Sequence, residues 1–187
     1  MTTSAAATAS TAEGFLPLAI AILTVSDTRT PAEDRSGDTL AALAAEAGHR
    51  VVERALVTDD PYAIRAVVSR WIADPAVQVV LTTGGTGITG RDGTPEAVSV
   101  LLDKQLDGFG EVFRQLSFAE VGSSSLQSRA LAGVANRTYL FCLPGSTGAC
   151  RLAWEALIRA QLDLRTRPCN LAQLLPRLGE LDRPPLQ

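Results

Sequence analysis

The hydrophobic positions of this chain change rhythm repeatedly along its length. Strand-like runs occupy residues 18–25, 50–57, 77–82 and 138–143. Between them, apolar residues return at helical spacing. Leu40, Leu43, Ala44 and Ala47 share one face of a helix predicted over 37–47, which Gly48 ends. Asp60 and Pro61 supply the cap and first position of the next helix, whose buried face is Ile64, Val67, Val68, Trp71 and Ile72. A helix over 95–102 begins at Pro95 with Thr94 as its cap. Phe109, Val112, Phe113 and Leu116 mark another helical face, and Cys150, Ala153, Trp154, Leu157 and Ile158 mark the last. Strands alternating with helices predict an α/β sandwich with a mainly parallel sheet. Ligands of such sheets bind beyond the carboxyl ends of the strands. The loop over 25–37, Asp59, the loop over 84–94 and the turn over 144–146 all emerge at that edge.

The third of these strands runs into the densest cluster of chemistry in the chain: Thr82-Thr83-Gly84-Gly85-Thr86-Gly87-Ile88-Thr89-Gly90-Arg91-Asp92-Gly93-Thr94-Pro95-Glu96-Ala97. Glycines let backbone N–H groups turn toward a ligand, successive N–H groups form a concave anion site, and threonine hydroxyls add donors. Gly85-Thr86-Gly87-Ile88-Thr89-Gly90 also fits the dinucleotide pattern G-x-G-x-x-G, which would make the protein a nucleotide-dependent oxidoreductase. That pattern requires a helix opening inside the loop, whereas Pro95 places the helix start several residues later. A P-loop reading fails on Arg91 and Asp92, which stand where lysine and a hydroxyl residue belong.

Composition narrows the classes. A chain of 187 residues with 46% hydrophobic content is enough for one domain with a full core. The formal charge of −3 argues against bulk attraction to nucleic acid. All 17 basic residues except Lys104 are arginine, the side chain best suited to bidentate phosphate contacts. No apolar run reaches membrane-spanning length. Residues 1–14, nearly all Ala, Ser and Thr, read as a disordered tail without the basic and apolar regions of an export signal. A cytoplasmic location is therefore expected. Residues 176–187 read as a second loose tail, leaving a domain over 15–175. Cys142, Cys150 and Cys169 lack metal-ligand spacing, and the first two suit the core. His49 is the only histidine and follows Gly48, where a helix-capping role is expected.

The wording of the glycine loop has a family counterpart. Gly84-Gly85-Thr86-Gly87, Arg91-Asp92 and Thr94-Pro95-Glu96-Ala97 resemble the molybdenum-cofactor biosynthesis family called MoaB/MogA. Ala21-Ile22-Leu23-Thr24-Val25-Ser26-Asp27 looks like its first strand, Asp34-Arg35-Ser36-Gly37 like its D-x-S-G turn, and Leu143-Pro144-Gly145-Ser146 like its late proline-glycine loop. Gly108-Phe109-Gly110-Glu111-Val112-Phe113-Arg114 and Arg165-Thr166-Arg167-Pro168-Cys169-Asn170 point to the MoaB branch. Gly90 and Gly93 depart from the family loop, which often has proline and a β-branched residue there, and they loosen the backbone around Asp92.

The resemblance implies a three-layer α/β/α sandwich, a homo-oligomer (trimer or hexamer), and molybdopterin and ATP as ligands, with other enzymes of the pathway as partners. It implies Mg²⁺-dependent adenylylation of molybdopterin or, alternatively, binding and delivery without catalysis. In the first case the pterin's terminal phosphate attacks the α-phosphorus of ATP, and no histidine base is required. Asp92, and after it Asp59, are then the catalytic carboxylates linked to Mg²⁺, although Asp92 also reads as an Asx-turn and Asp59 as a loop carboxylate. Ligand-binding residues implied by the same match are Thr24, Ser26, Asp27, Ser36, Gly37, Gly84, Gly85, Thr86, Gly87, Ser128, Arg129, Pro144, Gly145 and Ser146. Ser36 and Ser146 are equally explained as helix caps.

Overall fold

The computed structural model describes residues 14–179, so most of both expected tails lies outside the described residues. Within them, β1 (Ala19–Val25), β2 (Arg50–Val57), β3 (Val79–Thr83), β4 (Lys104–Gln105), β5 (Leu131–Ala135) and β6 (Thr138–Leu143) form one six-stranded sheet. Its order is β2-β1-β3-β6-β5-β4. The β2-β1-β3-β6 neighbours are parallel, and β5 runs against both β6 and β4.

β1 is buried along its whole length because helices cover both of its faces. Ile20 and Ile22 enter one core, with Leu40 and Leu43 of α1 (Arg35–Glu46), Phe113 of α4 (Asp107–Val121), and Cys150 of α5 (Thr147–Ala153). Ala21, Leu23 and Val25 enter the other, with Ile64, Val68 and Trp71 of α2 (Pro61–Ala73) and Ala97 and Val98 of α3 (Thr94–Ser99). The result is the three-layer α/β/α sandwich with a mostly parallel sheet. Ile22, Leu81 and Phe141 lie in one register row across β1, β3 and β6. That row fixes the carboxyl ends of the central strands at one height. α5 continues through a π-helical turn, Trp154–Ile158, into α6 (Arg159–Gln161).

Several local expectations change. Val112 points outward at 41% exposure, because Phe113 and the half-buried Leu116 already turn the inner face of α4 toward the sheet. The cap of α1 is Asp34, whose Oδ1 accepts the Gly37 N–H at 2.9 Å; Ser36 is not the cap. Gly93 rather than Thr94 precedes α3, and the Thr94 hydroxyl donates to the Gly84 carbonyl instead. β4 and β5 carry no sequence signal of their own. One is two residues long, and the other joins β6 through Asn136 and Arg137, both at positive φ, a hairpin turn without the usual glycine. Packing continues past residue 175, since Leu178 lies against the first core. His49 follows Gly48 in a Schellman ending, donating its N–H to the Ala44 carbonyl. Its side chain is buried too, with Nδ1 accepting the Leu18 N–H at 3.1 Å.

Candidate functional site

The parallel arrangement sends β1, β2, β3 and β6 out at the same sheet edge. There, the loops following β1, β3 and β6 border a cavity of about 560 Å³. α4 and the 3₁₀ turn Gly122–Gln127 close its far wall with Ser117, Glu120, Ser124 and Ser125. The base is formed where two turns meet. Gly84 donates its N–H to the Leu143 carbonyl at 3.0 Å, and the Thr83 hydroxyl donates to the Pro144 carbonyl at 3.0 Å. Gly84 has φ +103°, and a Cβ there would stand 2.1 Å from the Val25 carbonyl oxygen. Only glycine permits both that backbone angle and that approach. At Gly87 a Cβ would come within 2.7 Å of Asp92 Oδ2, so the Asp92 carboxylate would have to move.

Three carboxylates stand around the outer side of the glycine loop. Asp92 Oδ2 accepts the Thr89 N–H at 2.8 Å and the Thr89 hydroxyl at 2.6 Å. The hydroxyl contact chiefly, with the Thr89 and Gly87 N–H groups, holds its carboxyl below the ordinary range. The expected Asx-type turn is therefore present, and Asp92 also lines the cavity. Asp59 Oδ1 accepts the Gly93 N–H at 3.0 Å, yet its carboxyl is pushed up. Burial is the main cause, and the negative charges of Asp92 and Asp27 add to it. Asp27 Oδ1 accepts the Asp59 N–H at 3.0 Å, while Oδ2 pairs with Arg91 at 2.7 Å. These contacts hold the Asp27 carboxyl low, the Asp59 N–H first and Arg91 second. Among the described residues, no group of three or more His, Cys, Asp or Glu side chains is placed to hold a metal ion.

The remaining predicted site residues divide into two sets. Ser26, Gly84, Gly85, Thr86, Gly87, Ser128, Pro144, Gly145 and Ser146 line the cavity with Asp92. Thr24, Ser36 and Gly37 lie behind it. Thr24 is fully buried and donates to Asp34 Oδ2 at 2.7 Å, and Gly37 packs against both groups. Arg129 braces the glycine loop from behind. Its Nε donates to the Gly87 carbonyl and one Nη to the Asp92 carbonyl, each at 2.6 Å, while the other Nη pairs with Glu96. Ser146 caps α5 by accepting the Ala149 N–H at 3.2 Å.

Among the cavity residues that sequence reasoning did not single out are the charged pair Arg29 and Glu120 and the wall serines Ser117, Ser124 and Ser125. Arg29 belongs to an irregular loop, and Glu120 sits on a helical face whose orientation toward the loops depends on tertiary packing. The signal for Arg29 was its place in the loop over 25–37, three residues after Ser26, at the carboxyl edge of the sheet.

A glycine-lined cavity outside the carboxyl ends of parallel strands, in a three-layer sandwich, defines a small-molecule-binding α/β domain suited to a phosphorylated ligand. The comparisons with known proteins are more specific. The family described as "Probable molybdopterin binding domain" matches residues 21–164, and the chain belongs to that family. Molybdenum cofactor biosynthesis protein B of Escherichia coli K12 is 61% identical over 83% of this chain and 92% of its own length. The Bacillus subtilis protein of the same name is 44% identical, over 75% of this chain and 84% of its own. A crystal structure of a molybdenum cofactor biosynthesis protein B superposes with a TM-score of 0.79 at 44% identity, covering 88% of this chain and 98% of that one. The tungsten cofactor synthesizing protein MoaB of Pyrococcus furiosus does so with a TM-score of 0.66 at 36% identity, covering 76% and 91%.

Proposed function

We propose that this protein acts in molybdenum cofactor biosynthesis as a molybdopterin-binding protein, holding the pterin in the cavity between the glycine loop and the serine-rich wall. The carrying observation is the asymmetry of that cavity. One side is lined by Gly84–Gly87 and the turn over 144–146, suited to a phosphate; the other is lined by Ser117, Ser124, Ser125 and Ser128. A flat heterocycle with a phosphate tail matches both sides. Family membership and the names of the relatives point to the same ligand. The test is fluorescence titration of the full-length protein with molybdopterin. Saturable binding that is lost in Gly87→Val, whose side chain would displace the Asp92 carboxylate, is expected. Absence of binding by the native chain would overturn the reading.

The second reading, adenylyl transfer, is favoured by one observation: Asp59, which accepts the Gly93 N–H, and Asp92, the residue before Gly93, both place carboxylates against the glycine loop. Two carboxylates with phosphate oxygens and water form a set that Mg²⁺ accepts. In that role Asp92 and Asp59 would hold Mg²⁺, which when bound neutralises charge between the reacting phosphates. An oxygen of the pterin phosphate would form a bond to the α-phosphorus of ATP as the bond to the β-phosphate breaks, and pyrophosphate would leave with the electron pair. The Gly84–Gly87 loop would orient the phosphates. A discontinuous assay with molybdopterin, ATP and Mg²⁺ decides it. Adenylylated pterin and pyrophosphate that disappear in Asp92→Ala would establish transfer, and pterin binding without product would leave the binding function alone. A homo-oligomer is part of the same proposal, supported by the exposed Val112, Phe118, Val121 and Leu126 on and beside α4. A monomer in light scattering would contradict it.

A further inference from the structure

Among the described residues, Arg29 is the only basic side chain that lines the cavity, and the other charged lining residues are the acids Asp92 and Glu120. Its position is fixed from three directions. The backbone N–H donates to Ser26 Oγ at 3.2 Å, one Nη donates to Ser36 Oγ at 2.7 Å, and the other Nη donates to the Gly145 carbonyl at 2.8 Å. Ser36 is fully buried at the start of α1, so one end of the guanidinium is tied to a rigid element. Gly145 is in the turn that touches Gly84, with the two backbones close enough that a Cβ on Gly145 would stand 3.3 Å from Gly84 Cα. Arg29 therefore sits at the junction of the β1, β3 and β6 loops. A guanidinium has five N–H donors, and only two are spent on Ser36 and Gly145. Among the described residues, the others donate to no protein atom.

We infer that Arg29 is the residue by which this site selects a phosphorylated over an unphosphorylated ligand, and that the same fork sets the position of the 144–146 turn. The inference rests on the pterin-phosphate reading above and adds to it the group that recognises the charge. An arginine pre-oriented by a buried hydroxyl loses little side-chain freedom on meeting a phosphate, and its planar donors match two phosphate oxygens. Lysine at this position would keep the charge but lacks the planar fork that holds two partners while matching two phosphate oxygens.

The test uses the full-length protein, Arg29→Met and Arg29→Lys, and three probes: the phosphate ester of 6-hydroxymethylpterin, the free alcohol, and inorganic pyrophosphate. Arg29→Met should weaken the ester by about tenfold to a hundredfold, the range for loss of a charged hydrogen bond, and leave the alcohol unchanged. Arg29→Lys should recover part of the loss. Raising the salt concentration should narrow the difference between native protein and Arg29→Met. Equal weakening of ester and alcohol, or no weakening of either, would overturn the assignment while leaving the pterin site in place. If native protein binds neither pterin but binds pyrophosphate through Arg29, the pterin reading fails and the assignment of Arg29 stands. Failure to bind all three probes removes both. Should Arg29→Met not fold, Arg29→Lys decides alone, because it must still lose affinity for the ester relative to the alcohol.

Discussion

Arg129→Ala is the perturbation that bears most directly on how the site is held. The native side chain makes two charge-assisted hydrogen bonds to carbonyls of the glycine loop, Gly87 and Asp92, each at 2.6 Å, and an ion pair with Glu96. The Arg129 N–H to the Thr86 carbonyl, at 3.0 Å, survives truncation because it belongs to the backbone. The side chain is 32% exposed, so water would partly replace what is lost. Taking the low end for each charged hydrogen bond, about 1.5 kcal/mol, and nothing for the half-exposed ion pair gives about 3 kcal/mol. In a domain of this size that corresponds to a fall in Tm of about 6–12 °C, at about 2–4 °C per kcal/mol. Differential scanning calorimetry measures the global effect. Amide exchange across residues 84–96 should accelerate before that of β1 or β3, because the lost contacts lie in the loop. Glu96→Ala is the internal control and should move Tm by less than about 1 kcal/mol would. An Arg129→Ala protein with native Tm and native exchange in the loop would refute the bracing role.

Other outcomes follow from the same geometry. Burial pushes the His49 imidazole below its ordinary value of 6.5, so the unfolded chain takes up the proton first. Its contribution to stability should thus be complete above pH 6.5 and decline as pH falls below it, a slope that urea unfolding should show in the native protein and not in His49→Gln. Gly84→Ala should destabilise by about 3 kcal/mol or more or prevent folding, since the backbone angle and the Val25 carbonyl both oppose a Cβ; chemical denaturation checks this. Gly90 meets nothing within 4 Å, so Gly90→Ala should instead raise stability by about 0.5 kcal/mol through the unfolded chain. Asp34→Ala removes the α1 cap and leaves the Thr24 hydroxyl without its acceptor, for a loss of about 3 kcal/mol in the same assay.

Much of the fold was legible because its signals are local. Periodicity over 61–73 follows from one helix facing one layer, and Asp60 and Pro61 start it by satisfying or lacking N–H groups at its first turn. The strand at 18–25 reads as apolar throughout because both faces are covered. β5 was invisible for the opposite reason: its Leu-Ala-Gly-Val-Ala run has weak intrinsic preference, and its pairing with β4 and β6 confers strand geometry on it.

The candidate site divides in the same way. The sequence by itself determined that a glycine-rich, threonine-bearing loop follows a buried strand, and that Asp92 can fold back on it, since those are properties of neighbouring residues. Only the tertiary structure decided that Thr24 and Gly37 serve a buried cap, that Arg129 supports the loop from behind, and that Arg29 reaches Gly145 more than a hundred residues away. The physical reason is that a hydrogen bond of about 3 Å tests a position in space, and spacing along the chain carries that information only within a turn or two.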